Sequence, residues 1–326
     1  MMTPSHPARV LVLGSGARAA RLYEAWRQIG PLHWNLVGFV GTPDGRHVAP
    51  VLGPPARLAE LIRENEVTDL VVALDDGVAE AWAGAILGAL DLGVKVRPMI
   101  SSFEELTGRA AEAHSREAWE SLLGARARGG LFPIAKRLID LCVGLAGIIL
   151  FGVLLIPIAA AIQLESRGPL FRRDELAGKY GRRFRKIRFR TERVDVHGER
   201  QPGSLPVGAD RSTGVGRRLR RFGLHRLPVF VNLLRGDMSL VGPRAENAEA
   251  VERLAREIPC SAGRLLARPG LLGWAQLESR RDIRFGADPM RRVEYDLYYI
   301  RHASLRLDLR IILESAAAAL ELLRFR

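Results

Sequence analysis

Cysteine is nearly absent from this chain. Only Cys142 and Cys260 occur in 326 residues, so one disulfide is the most that can form, and Cys142 lies inside an apolar run. A disulfide-built secreted scaffold is excluded, and a reduced, cytosol-facing protein is expected. Lysine is almost as scarce, with Lys95, Lys136, Lys179 and Lys186 set against 45 arginines. There is no Cys/His finger, no aromatic RNA-binding motif and no basic region leading into heptads, so nucleic acid is not expected as a partner. The short polar stretch before the first strand lacks the apolar core of a signal peptide.

What is present is positive charge. Lys and Arg outnumber Asp and Glu by 49 to 36, a net +13. Such a balance suits anionic lipids, nucleotides or other phosphates, and guanidinium forks suit phosphate oxygens in particular. The length allows two modest domains, each with its own core.

From Leu141 to Ile162 there are 22 residues without a charge, enough to cross roughly 30 Å of hydrocarbon as a helix. Length alone favours a single spanning helix. Two details favour a helix that enters, bends and returns to the same face. Cations flank both ends, Lys136 and Arg137 before and Arg167, Arg172 and Arg173 after, without the one-sided bias of a spanning segment. Pro157 also removes a helix hydrogen bond and favours a break after Ile156.

The first third of the chain alternates strands and helices. Strands fit Arg9 to Leu13, Asn35 to Val40, Leu70 to Leu74 and Val94 to Pro98, with an amphipathic helix near Arg57 to Glu64. That alternation implies a doubly wound parallel sheet. The turn Gly14-Ser15-Gly16, ending at Ala19, has two readings. One is a phosphate cradle at a helix start; the other is a tight strand-to-helix turn. No acidic residue closes the second strand, which leaves the fingerprint incomplete. We expect a Rossmann-like domain over 1–105, a charged helical connector over 106–134 and a second domain over 135–326, with its membrane helix at 138–163.

The second domain carries ordered blocks. Lys136-Arg137-x-x-Asp140 precedes the apolar run, and Gly168-Pro169-x-Phe171 and Phe184-Arg185-x-x-x-Phe189-Arg190-Thr191 follow it. Then come Arg211-x-Thr213-x-x-Gly216, the run Asn232 to Arg244, Arg268-Pro269-Gly270-x-x-Gly273-Trp274, Tyr295-Asp296-x-Tyr298-Tyr299 and Ser304-Leu305-x-Leu307-Asp308. From Lys136 to about Ile312 the chain resembles the bacterial sugar transferases, which move a sugar-1-phosphate from a nucleotide sugar to polyprenyl phosphate. The resemblance implies a membrane-embedded α/β phosphoglycosyl transferase domain with a re-entrant helix broken at Pro157. It further implies a place at the bacterial inner membrane with the soluble parts facing the cytoplasm, and a role in surface or exopolysaccharide biosynthesis. The N-terminal region resembles the Rossmann-like domain of large family members. A UDP-sugar and polyprenyl phosphate are the expected ligands. Copies of this chain or other polysaccharide-assembly proteins are the expected partners. Phosphoryl transfer needs positioning and charge neutralisation more than covalent help, so Arg190, Arg211, Arg244 and Arg268 are the candidate phosphate ligands. Asp237 reads as a turn cap, and Trp274 and the tyrosines as packing. Asp308 to Leu323 reads as an amphipathic helix for a membrane surface or a subunit contact.

One departure falls at the centre. Where the resemblance implies an Asp nucleophile and a Glu that holds Mg²⁺, this chain has His225 and Arg226. Arginine cannot supply the hard oxygen that Mg²⁺ requires. Two readings follow. His225 acts as a phosphohistidine nucleophile with Arg226 as the charge clamp, or the protein is a non-catalytic homologue that scaffolds or regulates polysaccharide assembly. Asp174-Glu175 reads as a surface turn rather than a relocated acid pair.

Overall fold

A computed structural model describes residues 8–30, 34–41, 50–75, 82–111, 131–193, 212–281 and 288–324. The chain divides into two compact units, Met1–Glu112 and Ala113–Arg326.

In the first unit, β1 (Ala8–Leu13) leads into α1 (Ala17–Ile29), followed by β2 (Trp34–Val40) and β3 (Val51–Gly53). Next come α2 (Leu58–Glu64), β4 (Asp69–Val72), α3 (Ala83–Asp91), β5 (Lys95–Pro98) and α4 (Met99–Thr107). All five strands are parallel, in the order β3-β2-β1-β4-β5. Side-chain alternation along β1 divides the core. Val10 and Val12 pack with Ala19, Leu22 and Phe103 from α1 and α4. Leu11 and Leu13 pack with Leu58, Leu61, Ile62 and Ala89 from α2 and α3. Helices therefore cover both faces, and β3 is the one strand that the sequence reading did not anticipate. Leu106, Ala110 and Ala111 are buried in this unit, which therefore runs past residue 105 into the stretch assigned to the connector. Residues 112–130 of that connector lie outside the described residues, and its last three, 132–134, open the long helix of the second unit.

The second unit begins with α5 (Phe132–Glu165), a single helix of 34 residues, roughly 50 Å long. The antiparallel pair β6 (Phe171–Ala177) and β7 (Arg183–Phe189) follows. Next are α6 (Gly214–Arg221), a 3-10 turn Leu224–Arg226 and α7 (Val229–Arg235). Strand β8 (Ser239–Val241), α8 (Ala248–Glu257), a 3-10 segment Pro259–Leu266 and β9 (Gly270–Leu272) come after them. The unit closes with α9 (Trp274–Arg281), α10 (Pro289–His302) and α11 (Leu305–Arg324).

Helix α5 continues through Pro157 without interruption, so the expected helix–break–helix is not what forms. The helix tolerates the lost hydrogen bond because tertiary packing holds it on both sides of the proline. Ile158 and Ile162 are buried with Phe189, Leu219 and Leu227, and Leu154 and Leu155 pack against them. One face of α5 touches the unit along its whole length. Arg137 donates to the carbonyls of Leu233 and Leu234 at the end of α7, and Asp140 accepts from Ser239 Oγ and Leu240 N. Further along, Gly144 and Gly147 leave room for Leu234 and for the Phe230 ring, which a Cβ at Gly147 would meet at 2.3 Å. Phe151 packs on Phe171 and Phe189. Glu165 takes the free amides of Gly214 and Val215 at 2.5 and 2.7 Å. These contacts recur every three or four residues, the period of one helix face. The opposite face exposes Leu138, Leu145, Ile149, Val153, Ile156 and Leu164. Both ends of the apolar helix are thus held by the same unit. By length and composition alone the helix is able to cross a membrane.

Candidate functional site

Strands β6 and β7 build one wall of an open pocket of about 950 Å³. Their register pairs Arg172 with Arg188 and Asp174 with Lys186, so all four side chains project from one face of the ribbon. The start of α8 and the turn before it supply Arg244, Ala245, Glu246, Asn247 and Ala250, and Arg292 of α10 joins them. Arginine and lysine dominate the lining.

Each described carboxylate of the lining is held by a guanidinium. Asp174 bonds Arg172 at 3.0 Å and, more closely, Arg188. These two cations, working against burial, keep its carboxyl below the usual range. Glu192 bridges Arg172 at 2.9 Å and Arg220 at 2.7 Å. Glu246 takes Arg264 at 2.9 Å and Arg292 at 3.4 Å, and Glu175 lies 3.5 Å from Arg183. The sequence reading of Asp174-Glu175 as a turn is corrected, since both residues lie in β6 as part of the pocket wall. Lys186, which sequence reasoning did not single out, forms no ion pair among the described residues. Burial, with Arg188, Arg226 and Arg244 around it, pulls its ammonium down to about 8, against the opposing pull of Asp174.

The 3-10 turn that carries His225 and Arg226 follows Gly223, whose φ of 71° suits a residue without a side chain. The His225 ring lies 3.3 Å from the Leu219 carbonyl through Nδ1. A carbonyl can only accept, so Nδ1 carries the proton and Nε2 keeps its lone pair. Burial holds the imidazole below its ordinary pKa, and Arg226, Arg188 and Arg220 add to the effect while the Leu219 contact opposes it. These surroundings favour the neutral imidazole.

The arginines singled out by sequence part company here. Arg244 is exposed, lines the pocket and makes no ion pair among the described residues. Arg190 also lines the pocket, but it is buried and its guanidinium is turned onto the backbone where α5 ends. It donates to the Arg167 carbonyl at 3.0 Å and to the Ser166 carbonyl. Arg268 is half-buried, outside the pocket lining, and its carbonyl crowds Gly242. Arg211 lies outside the described residues. Asp237 accepts from Asn232 at 3.0 Å, and Asn232 in turn bonds the Arg185 carbonyl and the Ile187 amide. That pair pins α7 to β7. Lys136 reaches Asp308 at 2.6 Å, Tyr299 at 3.1 Å and the Val241 carbonyl at 2.9 Å. It thereby fixes the strand that precedes Arg244.

His225 and Arg226, which stand where the resemblance implies an acid pair, do not fit Mg²⁺. No group of three His, Cys, Asp or Glu side chains suited to a metal occurs among the described residues, and each described carboxylate of the pocket already bonds arginine. No step is routed through a metal below.

In the first unit, the amides that a phosphate would take at the start of α1 are occupied. Asp75 accepts from Ala17 N at 3.0 Å and from Arg18 N at 3.2 Å. A Cβ on Gly16 would overlap its carboxylate at 1.6 Å. Of the two readings of the glycine turn, the local geometry is that of the tight turn. Asp75→Ala should cost about 1 kcal/mol of stability, as loss of a helix cap does. It should also speed hydrogen exchange at Ala17 and Arg18, and unchanged exchange there would refute the capping role.

Residues 132–321 match the family described as bacterial sugar transferase. Among curated relatives, the UDP-N-acetylgalactosamine-undecaprenyl-phosphate N-acetylgalactosaminephosphotransferase of Aeromonas hydrophila is 35% identical over 254 residues. That alignment covers 76% of this chain and 58% of the relative. The UDP-glucose:undecaprenyl-phosphate glucose-1-phosphate transferase of Xanthomonas campestris pv. campestris is 33% identical over 301 residues, 88% of this chain and 61% of that one. The transferase of the same description from Caulobacter vibrioides is 38% identical over 198 residues, covering 59% and 74%. The chain thus spans about three fifths of the length of the first two.

Proposed function

The chain belongs to the bacterial sugar transferase family, and from that premise we propose that it moves a sugar-1-phosphate from a UDP-sugar to undecaprenyl phosphate in polysaccharide biosynthesis. The observation that carries the reading is His225, a neutral imidazole at the acid-pair position with its Nδ1 proton turned toward the Leu219 carbonyl. In the first step Nε2 attacks the sugar-bearing phosphorus of the UDP-sugar. An N–P bond forms, the P–O bond to UMP breaks, and UMP leaves with its electron pair. In the second step an oxygen of undecaprenyl phosphate attacks the same phosphorus. The N–P bond breaks, the imidazole returns to its resting form, and a lipid diphosphosugar results. Arg226, Arg188 and Arg220, whose charges are felt at His225, would stabilise the phosphoryl oxygens as charge develops on them.

The protein acts at the inner membrane. The apolar face of α5 lies in hydrocarbon, its opposite face stays packed on the unit from end to end, and the pocket opens to the cytoplasm. The packing of both ends of α5 on the same unit supports this placement. The first unit, whose strand order is that of the doubly wound dinucleotide-binding folds, is a Rossmann-like accessory. Its pyrophosphate position is filled by Asp75.

The test is UMP release. Purified protein in nanodiscs, supplied with UDP-glucose or UDP-N-acetylgalactosamine, should release UMP over many turnovers only when undecaprenyl phosphate is present, and at most one UMP per protein without it. Wild-type protein that releases none with any UDP-sugar would overturn the proposal and leave the scaffolding role.

A further inference from the structure

The basic pocket and the acid-free His225-Arg226 turn pose one question together: what neutralises the diphosphate of the sugar donor? A divalent cation needs carboxylate oxygens, and the described carboxylates of this pocket are engaged. Asp174 lies between Arg172 and Arg188, Glu192 between Arg172 and Arg220, and Glu246 between Arg264 and Arg292. Freeing any of these three for a metal would break two ion pairs and leave guanidinium groups beside the bound cation, and Glu175, the fourth, lies 3.5 Å from Arg183. The opposite charge is available. Lys186 and Arg244 both line the pocket, and neither has an ion pair among the described residues. They lie near each other and near Arg226, closely enough for Arg226 and Arg244 to lower the proton affinity of Lys186. Lysine occurs at only four places in a chain with 45 arginines, and one of the four stands here.

We infer that this pocket binds the diphosphate of a nucleoside diphosphate sugar without a divalent metal, Lys186 and Arg244 taking the place of the cation. The inference rests on the phosphosugar-transfer reading, which it deepens by saying what holds the donor. An ammonium with three donors and a guanidinium fork both bond diphosphate oxygens directly. Lys186 sits in a wall already organised by the Asp174–Arg188 pair, and Arg244 lines the same pocket from the turn before α8. The same cations would attract the phosphate of a lipid acceptor, so the experiment separates the two sources.

The full chain in nanodiscs is titrated by calorimetry with UDP, in EDTA and then in MgCl2, and with farnesyl phosphate as a soluble stand-in for the acceptor. UDP should bind in EDTA with a Kd within about twofold of that in MgCl2. Lys186→Met should weaken UDP binding roughly 10- to 100-fold in EDTA, the range expected for a lost charge-assisted hydrogen bond, with farnesyl phosphate binding little changed. Lys186→Arg should restore most of the affinity. The charged groups facing Lys186 are Asp174 from β6, Arg188 from β7, Arg226 from the 3-10 turn and Arg244 from the turn after β8. As pH rises through about 8, Lys186 loses its proton, so wild-type affinity for UDP should fall there. The Lys186→Arg protein should show no such fall. A merely structural lysine would not move that profile. Should Lys186→Met unfold, Arg244→Ala at an exposed site carries the same expectation in EDTA.

UDP binding that appears only with Mg²⁺ overturns the inference, as does a Lys186→Met protein that folds and binds UDP like wild type. A Lys186-dependent loss confined to farnesyl phosphate overturns it too, by assigning the cluster to the lipid. The two readings fail separately. Metal-free UDP binding without UMP release would sink the transfer and leave this inference, whereas UMP release that requires Mg²⁺ would do the reverse.

Discussion

His225→Ala is expected to reduce UMP release by roughly 10³-fold or more, the scale of removing a covalent nucleophile. The argument starts from the ring. Its Nδ1 proton is committed to the Leu219 carbonyl 3.3 Å away, so Nε2 is the free lone pair. Burial and the neighbouring Arg226, Arg188 and Arg220 hold the imidazole below its ordinary pKa. The neutral, nucleophilic form therefore persists to lower pH than in an exposed histidine, and the acid limb of the rate profile should lie below pH 6.5. A phosphorylated imidazole is the required intermediate. With UDP-sugar and no lipid acceptor, wild-type protein should accumulate an acid-labile, base-stable phosphosugar adduct in mass spectra, and His225→Ala should not. A His225→Ala protein that turns over like wild type places the nucleophile elsewhere and ends this mechanism. The companion variant, His225→Asp with Arg226→Glu, tests the other side. If it gains Mg²⁺-dependent turnover while the wild type shows none, the natural pair is the reason for inactivity, and the scaffolding role stands.

Much of this fold was legible in the sequence because its signals are local. The strands of the first unit read as short apolar runs, and four of the five are found within a residue or two of the expected bounds, the widest difference being Leu74 against Val72 at the end of β4. Strand β3 was missed because three residues, Val51–Gly53, are too short for any periodicity to register. Helix α5 was legible as an apolar run, but its continuity was not. A proline announces a lost hydrogen bond, while the packing of Ile158 and Ile162 on Phe189, Leu219 and Leu227 is a tertiary fact. The site was half legible. His225 and Arg226 stood out because they occupy a position inside an ordered motif. Lys186 did not, since what marks it is its pairing across β6–β7 and the cations brought near it from two other segments, Arg226 and Arg244. Arg190 illustrates the converse. It sits in a motif and beside the pocket, yet its fork faces the end of α5. In a chain with so many arginines, type and motif do not separate a phosphate ligand from a helix cap. Only the direction of the side chain does.

The largest loss of stability is expected from Arg264→Leu. Arg264 is 3% exposed, and its guanidinium joins three segments. It donates to Glu246 at 2.9 Å and to the Arg244 carbonyl at 3.3 Å, and lies 2.7 Å from Asp296. Burial already lifts the Asp296 carboxyl to about 6, against the pull of Arg264 and with Glu246 adding to the rise. Without the cation, a buried carboxylate faces Glu246 with only Arg292 nearby, and breaking such a pair costs roughly 3–5 kcal/mol. For a domain of this size the melting temperature should fall by roughly 10 °C. The sign with pH follows from the raised pKa. A carboxyl whose folded pKa exceeds its unfolded value of about 3.9 destabilises the fold once it must ionise. Removing Arg264 raises the folded value further, so the loss should be larger at pH 8 than at pH 5. The double variant Arg264→Leu with Asp296→Leu removes both charges and should recover much of the loss. A single variant with unchanged melting at pH 8 would show that the pair contributes nothing. Because Arg264 also holds the Arg244 backbone and Glu246, the protein that still folds at low temperature should bind UDP more weakly as well. Stability and donor binding then fall together through one buried guanidinium, while the rate of chemistry on bound donor, which depends on His225, changes little.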